Sequence, residues 1–354
     1  MINLDVTRPR RAVNGVVYRN EKQFAAWPFN CGVWKFKGDE IVVGYARRSC
    51  EYAAPYHVNH GYAPPDGSNA HFLARSTDGG KTWQERRFDE LTDLNWRAHS
   101  GRLTAPAAPV DFTNPDLAIH HTDDCVLIST DRCRTFPVAV RLPHAGHDKV
   151  MGRPDYVIRP DGACLLLSTV STTSGVEGRP CAYISRNGGL SWEFFSYMTD
   201  EPRMHMVIMP SAVWLPSGKV LAAVRVQMQK HGFSFWSNVH LSEDAGRTWR
   251  FLSRVNDLGS PCHLLLLDDG GVLATYGYRS RPFGIRARVS RDEGATWGPE
   301  IVLRDDGKSW DLGYPKTVQL DGGELLTAYY FNDASDPVDV DGGVRYIGVT
   351  RWSL

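Results

Sequence analysis

The sequence carries no excess of charge and no segment that would cross a membrane as a helix. Its 354 residues contain 40 Lys and Arg against 40 Asp and Glu, so the formal net charge is zero. A nucleic-acid-binding protein usually carries a basic excess. No stretch approaches the ~18 consecutive apolar residues of a membrane helix. We therefore expect neither nucleic acid nor a membrane as a partner.

Cysteine pairs are also missing. The seven cysteines are odd in number, widely scattered and without a CxxC pair: Cys31, Cys50, Cys125, Cys133, Cys164, Cys181 and Cys262. This pattern is typical of reduced, buried thiols rather than of a disulfide or zinc framework. The first residues lack the apolar core of a signal peptide. Together these features predict a cytoplasmic protein.

Helical periodicity and cofactor motifs are absent as well. No long segment repeats its apolar residues every 3.6 positions, so the chain should be almost entirely β. The sequence has no phosphate-binding P-loop, no HExxH zinc motif and no GxSxG nucleophile turn. We therefore predict no metal and no cofactor.

What the sequence does contain is a repeated turn. Four segments follow the pattern S-x-[DN]-x-G-x-[ST]-W, and a fifth is degenerate: Ser76–Trp83, Ser185–Trp192, Ser242–Trp249, Ser290–Trp297 and the degenerate Ser129–Phe136. Their third residues lie 48 to 57 positions apart, which is the length of one four-stranded propeller blade. In such a turn, the Asp or Asn side chain accepts backbone hydrogen bonds, the glycine adopts an unusual φ, and the Trp covers the blade core. We assign these Asp boxes a structural role.

A second repeat, an X-Pro step before a strand, occurs six times: Trp27-Pro28, Asn114-Pro115, Arg153-Pro154, Met209-Pro210, Ser260-Pro261 and Tyr314-Pro315. Proline is tolerated at the start of a strand because no ladder donor is needed there. Six copies predict an all-β, six-bladed propeller that forms one domain over residues 1–354. An N-terminal strand at Val13–Tyr18 should complete the last blade and remove its free edge.

Innermost strands of a propeller converge on a central pocket, so the polar residues near these prolines are candidates for a ligand site. They are Asn30, Asn114, Asp116, Arg153, Asp155, His205, Ser211, His263, Asp311, Tyr314 and Lys316. Any one of them could instead satisfy the backbone of the funnel, but the whole set favours a polar pocket.

The order of inner strand, turn, strand and Asp box over nearly the whole chain resembles sialidases and related BNR-repeat glycoside hydrolases. The resemblance implies three arginines that grip a substrate carboxylate, a tyrosine nucleophile assisted by a glutamate, and an aspartate as acid/base. Tyr314, in the segment Asp311–Gly323, is the counterpart of the nucleophile. Arg225 fits the second arginine. A phenol with a pKa near 10 needs such help to react.

The sequence departs from this family at two positions. Met209 stands where the glutamate belongs, and Asn30 stands where the first arginine belongs. Asparagine cannot replace a charge that binds a carboxylate through two hydrogen bonds. The third arginine would be Arg281 or Arg286. These departures predict a substrate other than sialic acid.

The family's acid/base aspartate belongs to an insertion in the first blade. The equivalent segment, Ser49–Ala70, offers His57, His60 and Asp66. Histidine is suited to proton transfer near neutral pH. His57 and His60 are therefore candidate catalytic groups, although a loop rich in Gly, Pro and Asn could also carry them without a function.

Three functions remain open. The first is an exo-acting glycoside hydrolase on an oligosaccharide, acidic or neutral, without sialic acid, with two carboxylates drawn from Asp116, Asp155 and Asp311. The second is a lyase on a uronate-containing glycan, in which a histidine and Tyr314 move the proton and Arg153 or Arg225 neutralises charge. The third is a propeller that binds glycans without turnover. The predicted substrate-binding residues are Asn30, Arg153, His205, Arg225, His263, Arg281, Asp311 and Lys316.

Overall fold

The computed structural model describes residues 6–58, 62–93, 103–174, 177–202, 205–228, 234–339 and 342–354. Within them, helix is confined to single turns at α1 (Pro28–Cys31), at α2 (Asp89–Thr92) and at a 3-10 turn, Pro55–Val58. No helix in these ranges is long and apolar enough to cross a membrane. The remaining regular structure is β.

The strands, in chain order, are β1 (Val6–Thr7), β2 (Arg11–Tyr18), β3 (Gln23–Ala26), β4 (Val33–Phe36), β5 (Glu40–Ser49), β6 (Ala70–Ser76), β7 (Gln84–Arg87), β8 (Ala118–Thr122), β9 (Cys125–Ser129), β10 (Val138–Arg141), β11 (Val150–Ile158), β12 (Cys164–Ser171), β13 (Glu177–Ser185), β14 (Glu193–Tyr197), β15 (His205–Trp214), β16 (Val220–Met228), β17 (Ser234–Ser242), β18 (Arg250–Asn256), β19 (Gly259–Leu266), β20 (Val272–Tyr278), β21 (Phe283–Ser290), β22 (Glu300–Gly307), β23 (Gly313–Gln319), β24 (Leu325–Phe331) and β25 (Tyr346–Ser353).

These strands form six sheets, the six blades of a propeller, as the sequence predicts. Blade 1 holds β3 to β7, blade 2 holds β8 to β10, blade 3 holds β11 to β14, and blade 4 holds β15 to β18. Blade 5 holds β19 to β22, with β1 added in parallel to β22. Blade 6 holds β23 to β25, and β2 pairs with β25 as its outer strand.

The apolar core lies between the blades. Five of the six buried clusters combine side chains from two neighbouring blades; one, for example, joins Leu165 and Ile184 of blade 3 to Val220 and Val224 of blade 4. The sixth joins blades 1 and 6 and also includes Ile208 and Met209 of blade 4. Such burial contributes roughly 25 cal/mol for each Å² of apolar surface removed from water. The seven cysteines are buried in these layers and form no disulfide, which confirms the sequence prediction.

Each Asp box is the turn between the last two strands of a blade. In the first box, Asp78 Oδ1 accepts hydrogen bonds from the backbone N–H groups of Lys81 and Thr82. Ser76 Oγ accepts one from the N–H of Gly80, whose φ is 81°. The other boxes repeat this pattern around Asp131, Asn187, Asp244 and Asp292. The boxes are therefore structural, as their sequence pattern predicts.

The box tryptophans also join neighbouring blades. Trp249 Nε1 of blade 4 donates to Ser196 Oγ of blade 3 at 3.1 Å, and Ser196 itself donates to the carbonyl of Gly246. Trp297 and Ser253 repeat this contact between blades 5 and 4 at 3.1 Å. The predicted covering role of the Trp therefore extends to holding the blades side by side.

The prolines mark β-bulges within the innermost strands rather than the starts of those strands. A residue without N–H cannot donate to the ladder, and a bulge leaves such a residue unpaired. In blades 3 to 6 the register with the second strand shifts between Gly152 and Tyr156, Ile208 and Ser211, Gly259 and Cys262, and Gly313 and Lys316. In blade 1, α1 interrupts the inner edge between β3 and β4, both of which pair with β5.

In blade 2 the proline does not mark a bulge of an innermost strand. The predicted placement of Asn114 and Asp116 at the central pocket is therefore wrong. Its Asp box follows β9, so β8 and β9 correspond to the second and third strands of the other blades. Asp116 Oδ1 accepts a hydrogen bond from Arg132 Nε at 2.6 Å, and Arg132 belongs to that Asp box. Asp116 therefore lies at the Asp-box end of blade 2.

Buried histidines predict acid sensitivity. Burial lowers the pKa of His240 to about 4, and it also lowers the pKa values of His120 and His263. The unfolded chain binds protons at these residues below about pH 6.5, but the folded protein resists protonation. The free energy of unfolding should fall as the pH drops from 6.5 to 4, by about 3 kcal/mol for His240.

Urea unfolding of His240→Leu and of the unchanged protein at pH 7 and pH 4 checks this expectation. The variant should lose about 3 kcal/mol less on acidification, because it has no imidazole to protonate in the unfolded chain. An equal loss in both proteins would contradict it.

Candidate active site

At three of the X-Pro steps a bulky residue adopts an unusual backbone conformation. Tyr314, Met209 and Trp27 have φ values of 49°, 55° and 66°, and each immediately precedes the proline of its blade. A bulky residue at positive φ is rare and costs of order 1–3 kcal/mol, so the surrounding structure must enforce it. Tyr314 and Met209 are buried in one cluster, and Trp27 packs against that cluster. The X-Pro steps of blades 1, 4 and 6 thus direct three side chains to one place.

Arg225, on the second strand of blade 4, reaches the hydroxyl of Tyr314. Its Nη1 donates to Tyr314 Oη at 3.3 Å and lies 3.7 Å from Met209 Sδ. Its Nη2 donates to Gln227 Oε1 at 2.6 Å. Arg225 and Tyr314 are each 6% exposed. A guanidinium at this distance can stabilise negative charge that develops on the Tyr314 oxygen during a reaction.

Arg279, just after the second strand of blade 5, lies on the face of the same tyrosine. Its guanidinium carbon is 5.3 Å from the Tyr314 ring centre. Its Nη2 donates to the carbonyl of Leu312 at 3.1 Å and to Tyr330 Oη at 3.5 Å. Arg279 is 7% exposed.

These two guanidiniums are buried, and no acidic side chain of the described residues pairs with them. Among the described residues, neither Arg225 nor Arg279 forms a salt bridge, and the Nε atom of each is buried without a hydrogen-bond acceptor. Burial lowers the pKa of Arg225, and the charge of Arg279 adds to this effect. A buried charge is costly unless it is paired. The pair is therefore poised to bind an anion.

The carboxylate of Asp311 shares a contact with Arg279, because both bond to the hydroxyl of Tyr330. Asp311 Oδ1 accepts a hydrogen bond from Tyr330 Oη at 2.5 Å, and its Oδ2 accepts one from Arg345 Nε at 3.3 Å. Burial raises the pKa of Tyr330, and the negative charge of Asp311 acts in the same direction. This network holds Tyr330, which packs at 5.6 Å against the ring of Tyr314.

The first-blade insertion reaches the same region through Arg48. Arg48 Nη2 donates to the carbonyl of His57 at 3.3 Å, and its charge interacts with Asp311. His57 Nδ1 accepts a hydrogen bond from the N–H of Glu51, and its ring stacks on Tyr62 at 4.3 Å. His57 is thus fixed at the border of the site. His60 lies outside the described residues.

Three other candidates lie together in a separate cavity. Asp155, His263 and Lys316 line a cavity of about 360 Å³ to which inner strands of different blades contribute. Lys316 Nζ is 3.4 Å from Asp155 Oδ1, and Asp155 Oδ2 accepts the N–H of Ala212. His263 Nδ1 accepts the N–H of Thr317. No described contact joins this group to Tyr314, so the catalytic role of Asp155 stays a prediction.

We expect the buried pair of Asp155 and Lys316 to contribute to stability. Lys316→Met or Asp155→Asn leaves one buried group without its partner and should cost about 3–5 kcal/mol. The double variant should lose clearly less than the sum of the single losses, because the two effects share one interaction. Guanidinium unfolding of the three variants checks this, and additive losses would contradict it.

The remaining sequence candidates whose side chains the structure describes have no described contact with Tyr314. Arg281 is exposed beside Phe283, and Arg286 pairs with buried Glu300 at 3.2 Å. Asn30 lies in α1, where its Oδ1 is buried without a described partner. His205 begins β15 and packs edge-on against Trp236. Arg153 lies in β11, but its side chain is outside the described part of the structure.

Sequence reasoning missed Arg279 and Tyr330. Arg225 pairs with Ile208, two residues before a bulge proline, whereas the equivalent pair in blade 5 is Tyr278 with Gly259. Arg279 is one residue beyond that position. A search for an arginine near the end of each second strand, with a tolerance of one residue, would have found it.

The comparison with known protein families agrees with the Asp boxes and the propeller fold. A family model described as BNR repeat-like domain matches residues 114–326, and one described as BNR/Asp-box repeat matches residues 74–85. No curated protein sequence matches the chain.

Among solved structures, a protein of unknown function from Dyadobacter fermentans is 25% identical with a TM-score of 0.73, and the match covers 98% of this chain and 99% of that one. A Hadza microbial sialidase is 16% identical with a TM-score of 0.60, covering 94% and 66% of the two chains. The α-L-arabinanase of Penicillium chrysogenum, complexed with arabinobiose, is 13% identical with a TM-score of 0.60, covering 97% and 98%. The last two similarities concern the fold alone.

Proposed function

Because the chain belongs to the family of BNR repeat-like domains, we propose that it is a carbohydrate-active enzyme that acts on a glycan carrying a carboxylate. One observation carries the proposal. Arg225 and Arg279, two buried guanidiniums without an acidic partner among the described residues, flank the hydroxyl and the ring of Tyr314.

The ligand charge follows from electrostatics. A guanidinium presents several N–H donors in a plane and binds carboxylates through paired, charge-assisted hydrogen bonds. The free Nε atoms of Arg225 and Arg279 are donors that a carboxylate can satisfy. Such a ligand would also compensate the two like charges, whose burial is otherwise unfavourable.

The sugar class is supported by the fold. The sialidase and the arabinanase that share this propeller act on, or bind, sugars according to their names. Asn30 in place of the first family arginine and Met209 in place of the glutamate favour an acidic sugar other than sialic acid. A uronic acid is the simplest sugar of this kind.

We propose glycoside hydrolysis as the reaction. The Tyr314 oxygen attacks the anomeric carbon, the glycosidic bond breaks, and the leaving oxygen takes up a proton while the phenol proton passes to solvent. Water then attacks the glycosyl–tyrosine intermediate, which releases the sugar and restores the phenol. Arg225 at 3.3 Å stabilises the phenolate that attacks and leaves.

A lyase is the second candidate, and the thioether of Met209 favours it. Met209 Sδ lies beside Arg225, and among the described residues no carboxylate bonds to the Tyr314 hydroxyl. In this reaction Tyr314 Oη gives its own proton to solvent and takes the proton next to a uronate carboxylate, while the arginine pair neutralises the resulting charge. The glycosidic oxygen then leaves with a proton, and a carbon–carbon double bond forms in the sugar.

Incubation with matched acidic and carboxyl-reduced oligosaccharides tests the proposal. We expect turnover of an acidic member and none of its reduced counterpart. Hydrolysis incorporates one oxygen atom from labelled water, whereas elimination gives an unsaturated product that absorbs ultraviolet light. Equal turnover of acidic and reduced glycans, or none across a broad panel, would overturn the proposed function.

A further inference from the structure

Trp310 is a partly exposed aromatic side chain at the border of the arginine pair. It lies between β22 and β23, next to Asp311 and four residues before Tyr314. It is 45% exposed, whereas its neighbours Asp311 and Leu312 are buried. An exposed indole is a large apolar surface left in contact with water.

The indole is continuous with the candidate site through Arg279. The guanidinium carbon of Arg279 lies 5.5 Å from the Trp310 ring and 5.3 Å from the Tyr314 ring. Phe235, which is buried, stacks nearly parallel to the indole, with ring centroids 6.4 Å apart. Trp310 and Tyr314 thus both contact one guanidinium.

We propose that Trp310 is a stacking platform for the sugar attached to the acidic residue bound by Arg225 and Arg279. This inference rests on the proposed function, and it adds a second subsite and its ligand, a neutral pyranose. The apolar C–H face of a pyranose packs on an aromatic ring and excludes water from both. Arg279 would then contact both sugars, the acidic one with its Nε and the neutral one along its edge.

In this proposal Trp310 favours longer substrates, and Arg225 and Arg279 recognise the charge. An acidic monosaccharide occupies only the arginine side of the site. A disaccharide, in which a neutral pyranose is linked to the acidic sugar, occupies both sides. Removal of the indole should therefore affect the two ligands differently.

Calorimetric titration of Trp310→Ala with glucuronic acid and with such a disaccharide tests the proposal. We expect the dissociation constant of the disaccharide to rise about tenfold and that of glucuronic acid to change less than about twofold. Trp310→Phe should restore most of the affinity, because a smaller ring keeps the stacking surface. The matched control is Phe251→Ala, which removes an aromatic side chain 57% exposed on the outer strand of blade 4 and should change neither.

Two results would overturn the platform while leaving the acidic site intact. Equal weakening of both sugars by Trp310→Ala would mean that the indole only supports Arg279, and no weakening of either would mean that it contacts no sugar. If the unchanged protein binds neither acidic ligand, the proposed function fails and the platform fails with it.

Discussion

Replacing Tyr314 by Phe should reduce turnover of the acidic glycan at least about a thousandfold, because the change removes only the oxygen that acts on the sugar. The ring, its contact with Tyr330 and the backbone bulge remain, so the fold should persist. Initial rates at saturating substrate, with circular dichroism spectra of both proteins, measure this effect.

The matched control is Tyr183→Phe in blade 3, where a buried hydroxyl has no described hydrogen-bond partner. This variant should keep full activity. If Tyr314→Phe retains more than about a tenth of the rate, Tyr314 neither attacks the sugar nor removes its proton. For hydrolysis, a slow substrate should also leave a glycosyl group on Tyr314 that peptide mass spectrometry detects; elimination should leave none.

Replacing Arg225 by Met should weaken binding of the acidic sugar about a hundredfold, since the charge-assisted hydrogen bond from Arg225 Nε and the attraction of its charge are lost. Stability should change by less than about 1 kcal/mol, because Met removes a buried cation that has no described counter-ion. Calorimetric titration and guanidinium unfolding of the same variant provide the two values.

Arg286→Met is the opposite case and therefore the control. Arg286 is as deeply buried as Arg225, but it pairs with Glu300. Its loss leaves a buried carboxylate without that cation and should cost about 3–5 kcal/mol, while acidic-sugar affinity should not change. If Arg225→Met lowers stability as much as Arg286→Met and leaves binding intact, Arg225 is structural.

The propeller could be predicted from the sequence because its turns are local. An Asp box is defined by a few consecutive residues, such as Asp78 and Gly80, whose hydrogen bonds and φ value do not depend on distant contacts. Blade 2 shows the limit of this reasoning. A proline beside Asp116 has the same sequence appearance there, but the strand order places it at the Asp-box end.

The candidate site was only partly predictable because its residues meet through the bulges. Arg225 and Tyr314 lie 89 positions apart, and the side-chain directions depend on φ values that the sequence does not reveal. Lys316 and Tyr314 are only two residues apart. Lys316 lines the cavity with Asp155, whereas Tyr314 contacts Arg225. The sequence did not predict Arg279 for a similar reason. Its position relative to the site depends on the pairing of Tyr278 with Gly259 on the neighbouring strand.

A crystal structure of the protein with a bound uronic acid tests the central claim most directly. The account predicts the sugar carboxylate within hydrogen-bond distance of Arg225 Nε and Arg279 Nε, with the anomeric carbon facing Tyr314 Oη. A carboxylate bound instead at Lys316, in the separate cavity lined by Asp155 and His263, would contradict it. An empty arginine pair beside a sugar bound elsewhere would contradict it as well.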